Sequence, residues 1–205
     1  VIDDNKAGRQ AFAVAISVED ASPSAGITIQ GNTISNYDIG LRVEVEAASV
    51  TVSGNSFGDS GDTQVVNEDA TNTVNASGNW WASNDPATVA AVMTGLVDST
   101  PLLDSGTDTD SGTIGFQGDL SSLTVHALGE QTGGSGRIQE AVDAIADGGT
   151  INIADGTYTA AVVIDSKGMT LTGASQAGVI VQATTAADAL ANGPSSSNVF
   201  SVGYN

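Results

Sequence analysis

Short runs of this chain alternate strictly between apolar and polar side chains. Leu41, Val43 and Val45 are interleaved with Arg42, Glu44 and Glu46, the period of a strand with one dry and one wet face. The runs Phe12 to Val18 and Thr63 to Val66 read the same way. Three further segments share one pattern: Gly26-Ile27-Thr28-Ile29-Gln30-Gly31-Asn32-Thr33-Ile34, Ser49-Val50-Thr51-Val52-Ser53-Gly54-Asn55-Ser56-Phe57 and Thr73-Val74-Asn75-Ala76-Ser77-Gly78-Asn79-Trp80-Trp81. Their Gly-Asn pairs begin at 31, 54 and 78, spacings of 23 and 24 residues. Met169-Thr170-Leu171-Thr172-Gly173 is a weaker fourth copy.

Short alternating strands at such a spacing predict stacked coils, because no single coil can bury its own apolar face. Stacking about 4.8 Å apart pairs each strand with those above and below it. Ile27, Ile29, Val50 and Val52 then point inward, and Thr28 and Thr51 outward. Asn32, Asn55 and Asn79 are placed at a corner, where each side-chain amide bonds the backbone of the next coil as a ladder. The reading requires residues 27, 50 and 74 to stand in one column.

One segment has the other period. Ile138, Ala141, Val142 and Ile145 form a stripe that predicts an amphipathic helix over 137–147, ended by Gly148-Gly149. The strand pattern resumes at Thr150-Ile151-Asn152-Ile153, Gly156-Thr157-Tyr158 and Val162-Val163-Ile164. Residues 82–135 are turn-rich, and Ser105 to Gly112 reads as a linker or long surface loop.

Composition narrows the chemistry. Aromatic residues are 4% of the 205, so the core must come from Val, Ile, Leu and Ala. Five Lys and Arg stand against 24 Asp and Glu, a net charge of -19, which excludes nucleic acid as a partner and opposes anionic membranes. The carboxylates serve either as a solubilising surface or as ligands for Ca²⁺, the one cofactor that this composition favours. Asp59, Asp62, Asp108 and Asp110 are the candidate ligands. The absence of cysteine excludes disulfides and thiolate metal sites. No apolar run reaches membrane-spanning length, about 18 residues, so no membrane insertion is expected. Val1-Ile2-Asp3-Asp4 does not read as a signal peptide, so the chain is expected to be a mature piece or one cut from something longer.

The stretch from Gly136 through the helix to Gly156-Thr157-Tyr158 resembles the opening of right-handed parallel β-helices of the pectin-lyase-like superfamily, where a short helix caps the first coil. Gly78-Asn79-Trp80-Trp81, followed by Val97-Asp98-Ser99-Thr100-Pro101-Leu102-Leu103, resembles the closing coils of repeat-bearing surface proteins of that superfamily. The resemblance implies an all-β solenoid with a capping helix near 137–147. It does not imply an activity, because that fold carries lyases, hydrolases and adhesins alike. The closing motif precedes the opening one. Residues 1–103 are therefore expected to be closing coils, 104–135 an acidic linker or connecting strand, and 136–205 opening coils continued by residues 1–103 of a neighbouring copy. Val1, Ile2, Val199, Phe200, Val202 and Tyr204 are the expected assembly residues. Two separately capped solenoids in one chain are the competing arrangement.

Candidate chemistry is sparse. His126, the only histidine, is expected on the surface or on an edge strand, without a nucleophile motif around it. Arg42 with Glu44 and Glu46 imitates the basic and acidic residues of a carbohydrate lyase, but reads more simply as a surface ion pair. Asp3 with Asp4, Asp59 with Asp62, and Glu68 with Asp69 are the acid pairs that glycan hydrolysis would need, all in turn-like contexts. Trp80 and Trp81 face opposite ways on a strand, one into the core, the other free to stack on a sugar or a neighbour. The expectation is a non-enzymatic, extracellular structural or adhesive module of a bacterial surface. Its partners are copies of itself, head to tail, with glycans or the cell surface as further ones. A carbohydrate-active enzyme or glycan-binding module is the alternative.

Overall fold

The computed structural model describes residues 2–3, 13–19, 26–44, 47–58, 63–159, 161–182 and 200–202, with the backbone alone at 2–3 and 200–202. The protein is mostly β, with parallel sheets and short helices. It divides into two compact units, residues 1–119 with 128–132, and residues 120–127 with 133–205. The acidic stretch 104–135 is thus shared between the units.

The first unit holds β1 (Ile2–Asp3), β2 (Val14–Val18), β3 (Ile27–Gln30), β4 (Thr33–Ser35), β5 (Ile39–Val43), β6 (Val50–Ser53), β7 (Ser56–Phe57), β8 (Thr63–Asn67), β9 (Val74–Asn75), α1 (Pro86–Ala91), β10 (Met93–Thr94), β11 (Val97–Asp98) and β12 (Leu102–Leu103). Three parallel sheets collect strands that are far apart in sequence: β1-β4-β7, β2-β5-β8-β10 and β3-β6-β9-β11. From β1 to β9 the chain visits these sheets in the same order on each circuit. Ile27 lies opposite Val50, Thr51 opposite Asn75, and Val74 opposite Val97. Residues 27, 50, 74 and 97 therefore form one column.

The alternation sorts side chains as strand geometry requires. Leu41, Val43, Val52 and Val74 are fully buried, while Thr28 and Thr51 are exposed. Each such aliphatic side chain contributes about 1.5–3 kcal/mol relative to exposure. Phe57 and Trp81 are buried in the core, stacked with ring centroids 4.5 Å apart. Gly40 makes this packing possible: a Cβ there would stand 2.8 Å from Gln64 O and 2.9 Å from Phe57 Cδ1.

Residues 82–119 hold more regular structure than a turn-rich stretch suggests. Asp85 caps α1, accepting from the Thr88 backbone at 2.8 Å, and Pro86 occupies its first turn. At six residues the helix is too short to show an apolar period.

The second unit holds β13 (Ser122–Val125), α2 (Arg137–Ala144), β14 (Gly149–Ile153), β15 (Gly156–Thr159), β16 (Val162–Ile164), β17 (Met169–Gly173), β18 (Val179–Gln182) and β19 (Phe200–Val202). The parallel pairings are β13-β14-β17, β15-β18 and β16-β19. Helix α2 buries Ile138, Ala141 and Val142. It ends at Ala144, earlier than the expected 147, because Ile145 turns extended (ψ 144°) and buries its own side chain. Lys167 Nζ then donates to the last carbonyls, at 2.6 Å to Asp143 O and 3.0 Å to Ile145 O. Gly156-Thr157-Tyr158, where the family resemblance implied a turn, lies in strand β15 as the strand pattern of the sequence suggests, with Tyr158 buried.

Candidate functional site

The turn after β3 needs a residue in the left-handed region, and so does the turn after β6 and the one after β9. Gly31, Gly54 and Gly78 supply it with φ of 69°, 61° and 71°. Gly31 N donates to Gly54 O at 3.1 Å and Gly54 N to Gly78 O at 2.9 Å, so the turns stack. Each asparagine that follows then lies over the next. Asn55 Oδ1 accepts both the backbone N–H of Asn32 (2.9 Å) and its side-chain amide (3.0 Å). Asn79 Oδ1 accepts the same two groups of Asn55, both at 2.9 Å. Asn55 Nδ2 also donates to Ile29 O (2.8 Å), and Asn79 Nδ2 to Val52 O (2.8 Å). Asn55 and Asn79 are fully buried, so each bond stands where water cannot replace it.

The amide column has two different ends. Below Asn79 stands Leu102, and the turn above it is cis Thr100-Pro101, whose Pro101 carbonyl accepts from Gly78 N at 2.7 Å. A leucine offers no amide, so the column stops there. At the other end Asn32 Nδ2 donates to Gln30 O at 2.9 Å, and among the described residues no donor reaches Asn32 Oδ1.

That open acceptor belongs to a larger open edge. Among the described residues β1, β2 and β3 are each outermost in their sheets. Val14, Ile16 and Ile27 are half-buried, although Leu41 and Val50, opposite Ile16 and Ile27, are sealed. The second unit shows the same at its last strands. β17, β18 and β19 are outermost, and Met169, Leu171, Val179 and Val181 are half-buried, while Ile151 beneath Leu171 and Tyr158 beneath Val181 are buried.

No known protein family, curated protein or solved structure matches the chain.

The expected assembly residues fall partly within these edges. Ile2 lies on β1, opposite Ile34, and Phe200 and Val202 lie on β19, opposite Val162 and Ile164. Val1, Val199 and Tyr204 are outside the described residues, as are Asp4, Glu46, Asp59 and Asp62. The Asp3 backbone lies on β1.

The remaining candidates are engaged locally. Arg42 pairs with Glu44 at 2.8 Å and holds Glu68 through two bonds of 2.9 and 3.1 Å. The hydrogen bond to Glu68 raises the Arg42 pKa further. The alternation in sequence revealed Glu44 as a partner but not Glu68, which is brought over by the pairing of β5 with β8. Asp69, the neighbour of Glu68, is a turn acceptor: its carboxylate takes the Asn72 amide (2.9 Å), the Thr71 backbone (2.9 Å) and hydroxyl (2.8 Å), and Ala47 N (3.2 Å). Those bonds, the Asn72 amide foremost, hold its pKa well below the usual carboxylate range. Asp108 Oδ1 accepts from Asp110 N at 3.0 Å, and Asp110 takes the Thr113 hydroxyl at 2.6 Å, which lowers its pKa. Among the described residues no three His, Asp or Glu side chains are gathered as a metal would need.

Trp81 is the core tryptophan and Trp80 the half-buried one, lying against Gly106. His126 is a correction: only 1% of it is exposed, because it directly follows β13 into the interior, and its carbonyl accepts from Arg137 at 3.0 Å. Sequence reading also missed Asp98, a fully buried carboxylate. Its Oδ2 accepts the Thr132 backbone at 2.6 Å and hydroxyl at 2.8 Å, fastening residues 128–132 to the first unit. The adjacent turn residues gave no sign that a charged side chain would face inward. No helix among the described residues is long and apolar enough to cross a membrane.

Proposed function

We propose that the chain is a right-handed parallel β-helix module of the pectin-lyase-like kind, and that it builds an extracellular surface or filament by stacking head to tail on copies of itself. The carrying observation is the complementary pair of open edges. Among the described residues three outermost strands begin the first unit and three end the second, and β2, β3, β17 and β18 among them carry half-buried aliphatic residues. All are parallel strands, and among the described residues none has a neighbour on its outer side, the kind of edge that templates further pairing. The order supports the same joint: a copy's β17, β18 and β19 would be followed by the next copy's β1, β2 and β3, in the sense in which circuits already succeed one another. The right hand is that of nearly all parallel crossover connections. The extracellular and adhesive setting rests on the family resemblance and on the acidic, hydroxyl-rich outer faces. The role is structural, and the Arg42 cluster and Asp108 with Asp110 belong to its surface.

The test uses one charge at each edge. The wild-type chain is expected to sediment as a concentration-dependent series of oligomers. Ile16→Lys should block one edge and Leu171→Lys the other, each variant remaining monomeric with unchanged far-UV circular dichroism. Mixed together, the two variants retain one good edge each and should form a dimer and nothing larger. A wild-type chain that stays monomeric at every concentration, or variants that assemble as it does, would overturn the proposal.

A further inference from the structure

We propose that the loop of residues 105–118 plugs the open edge of the first unit, and that a second copy must lift it in order to stack there. The inference rests on the head-to-tail reading above and deepens it, by assigning how that joint is regulated. The turns define what a stacking lap must bond. Gly31 N donates to Gly54 O and Gly54 N to Gly78 O, so each glycine carbonyl accepts from the lap that precedes it in the chain. For a lap added at the open edge, the carbonyl to bond is Gly31 O. It is already taken, because Phe116 N donates to it at 2.7 Å. Gly115 lies so close that a Cβ there would stand 2.8 Å from Gly31 O, and its φ of 98° is in the left-handed region, as at the stacked turns. Gly115 and Phe116 therefore stand where the turn of a further lap belongs. Asn32 Oδ1, the other acceptor of that step, has no donor among the described residues. The step is half filled, and it is the chain's own loop that fills it.

The loop can leave as one piece. Its neck is closed on itself, Thr109 N donating to Gln117 O at 2.9 Å and Gln117 N to Asp108 Oδ1 at 3.3 Å. Its bend is closed as well, the Thr113 hydroxyl donating to Asp110 Oδ2 at 2.6 Å. Among the described residues, the bond from Phe116 to Gly31 is the one hydrogen bond that residues 105–118 make outside themselves. Lifting the loop therefore breaks that bond and uncovers the Phe116 ring, which is 6% exposed, and leaves the loop's own bonds intact. Ile114, just before this anchor, is wholly exposed and holds nothing down. Gly106 and Gly118 let the loop lie flat, since a Cβ at either would overlap Trp80 or Leu103. A second copy binds the lifted form alone, so its apparent affinity is reduced by the fraction of molecules in which the loop is up.

The experiment measures self-association of Gly115→Val by sedimentation. A Cβ at Gly115 would collide with Gly31 O, and a β-branched residue rejects that φ, so the loop is expelled while the core is untouched. The variant should keep its far-UV circular dichroism and associate about tenfold more tightly than wild type, the effect of removing a closed form held by a net hydrogen bond and a covered ring. Phe116→Ser should act in the same direction, and Ile114→Ser should associate as wild type does. The Phe116 amide of the wild-type chain should be protected from hydrogen exchange in the dilute monomer and lose that protection on assembly. If Gly115→Val and Phe116→Ser associate no more tightly than wild type, or the Phe116 amide stays protected in the oligomer, the plug is wrong and head-to-tail stacking stands. If Ile114→Ser weakens association, the loop belongs to the joint and the plug is again wrong. If Gly115→Val still associates when Leu171→Lys is added, the freed loop is adhesive by itself and the plug is equally refuted. If neither the wild-type chain nor Gly115→Val ever associates, the underlying reading fails with it.

Discussion

Among single residues, the buried amides of Asn55 and Asn79 fix the stacking of the turns, whereas the charge pair of Arg42 and Glu68 lies at the surface. Asn55 gives and receives hydrogen bonds on both sides at zero exposure, so truncation strands partners above and below it. Asn55→Ala is expected to cost about 2–4 kcal/mol, from more than one buried group left unmade, measured by urea unfolding. Breaking the exposed pair of Arg42 and Glu68 should leave the urea midpoint nearly unchanged, because solvent screens it. Asp69 adds a pH dependence. Its carboxyl is held below its unfolded value, so its contribution is fully present above about pH 4 and is lost as pH falls toward the lower folded pKa. Asp69→Asn should flatten the acid limb of a stability–pH profile below pH 4 (about the unfolded carboxyl value). The asparagines were legible in the sequence because they recur after glycine at a fixed period. Asp98 and His126 were not, because burial of a lone polar residue depends on what folds over it: the Thr132 segment for Asp98, and the Arg137 side for His126.

The strands of the first three circuits were readable because alternation and period agree there, from Ile27 through Val50 to Val74. The fourth row was not. Val97 stands in the same column, but the glycine and asparagine that mark its predecessors are replaced by Pro101 and Leu102. Helix α2 was found from its apolar stripe, with its end misplaced because Ile145 leaves the helix to reach the core. What holds that helix is a side chain distant in sequence. Lys167 reaches three of its C-terminal carbonyls, and Gln139 clasps Val163 through bonds of 2.7 and 3.2 Å. Lys167→Met should therefore loosen α2 by about 1 kcal/mol, the usual value of a cation at a helix C-terminus. Faster amide exchange confined to residues 137–144 would show it, and exchange unchanged there would count against the clasp.

At the level of the whole molecule, the stacking of Gly31 on Gly54 and of Asn32 on Asn55 means that the backbone arrives at equivalent places on successive laps. Such a chain can be shortened without being redesigned. Cutting out residues 32–54 and joining Gly31 to Asn55 would bring Ile2 over Phe57, Ile16 over Val65 and Ile27 over Val74, each an apolar pair that replaces another. The trimmed protein is expected to keep its circular dichroism per residue and to unfold cooperatively, whereas removal of residues 32–43 alone, which joins the corner at Gly31 to the end of β5, should not fold. Length in this architecture is thus a heritable variable separate from shape. Gene duplication or loss of a single lap would alter the number of stacked laps alone, leaving the pairing within each remaining lap as it was.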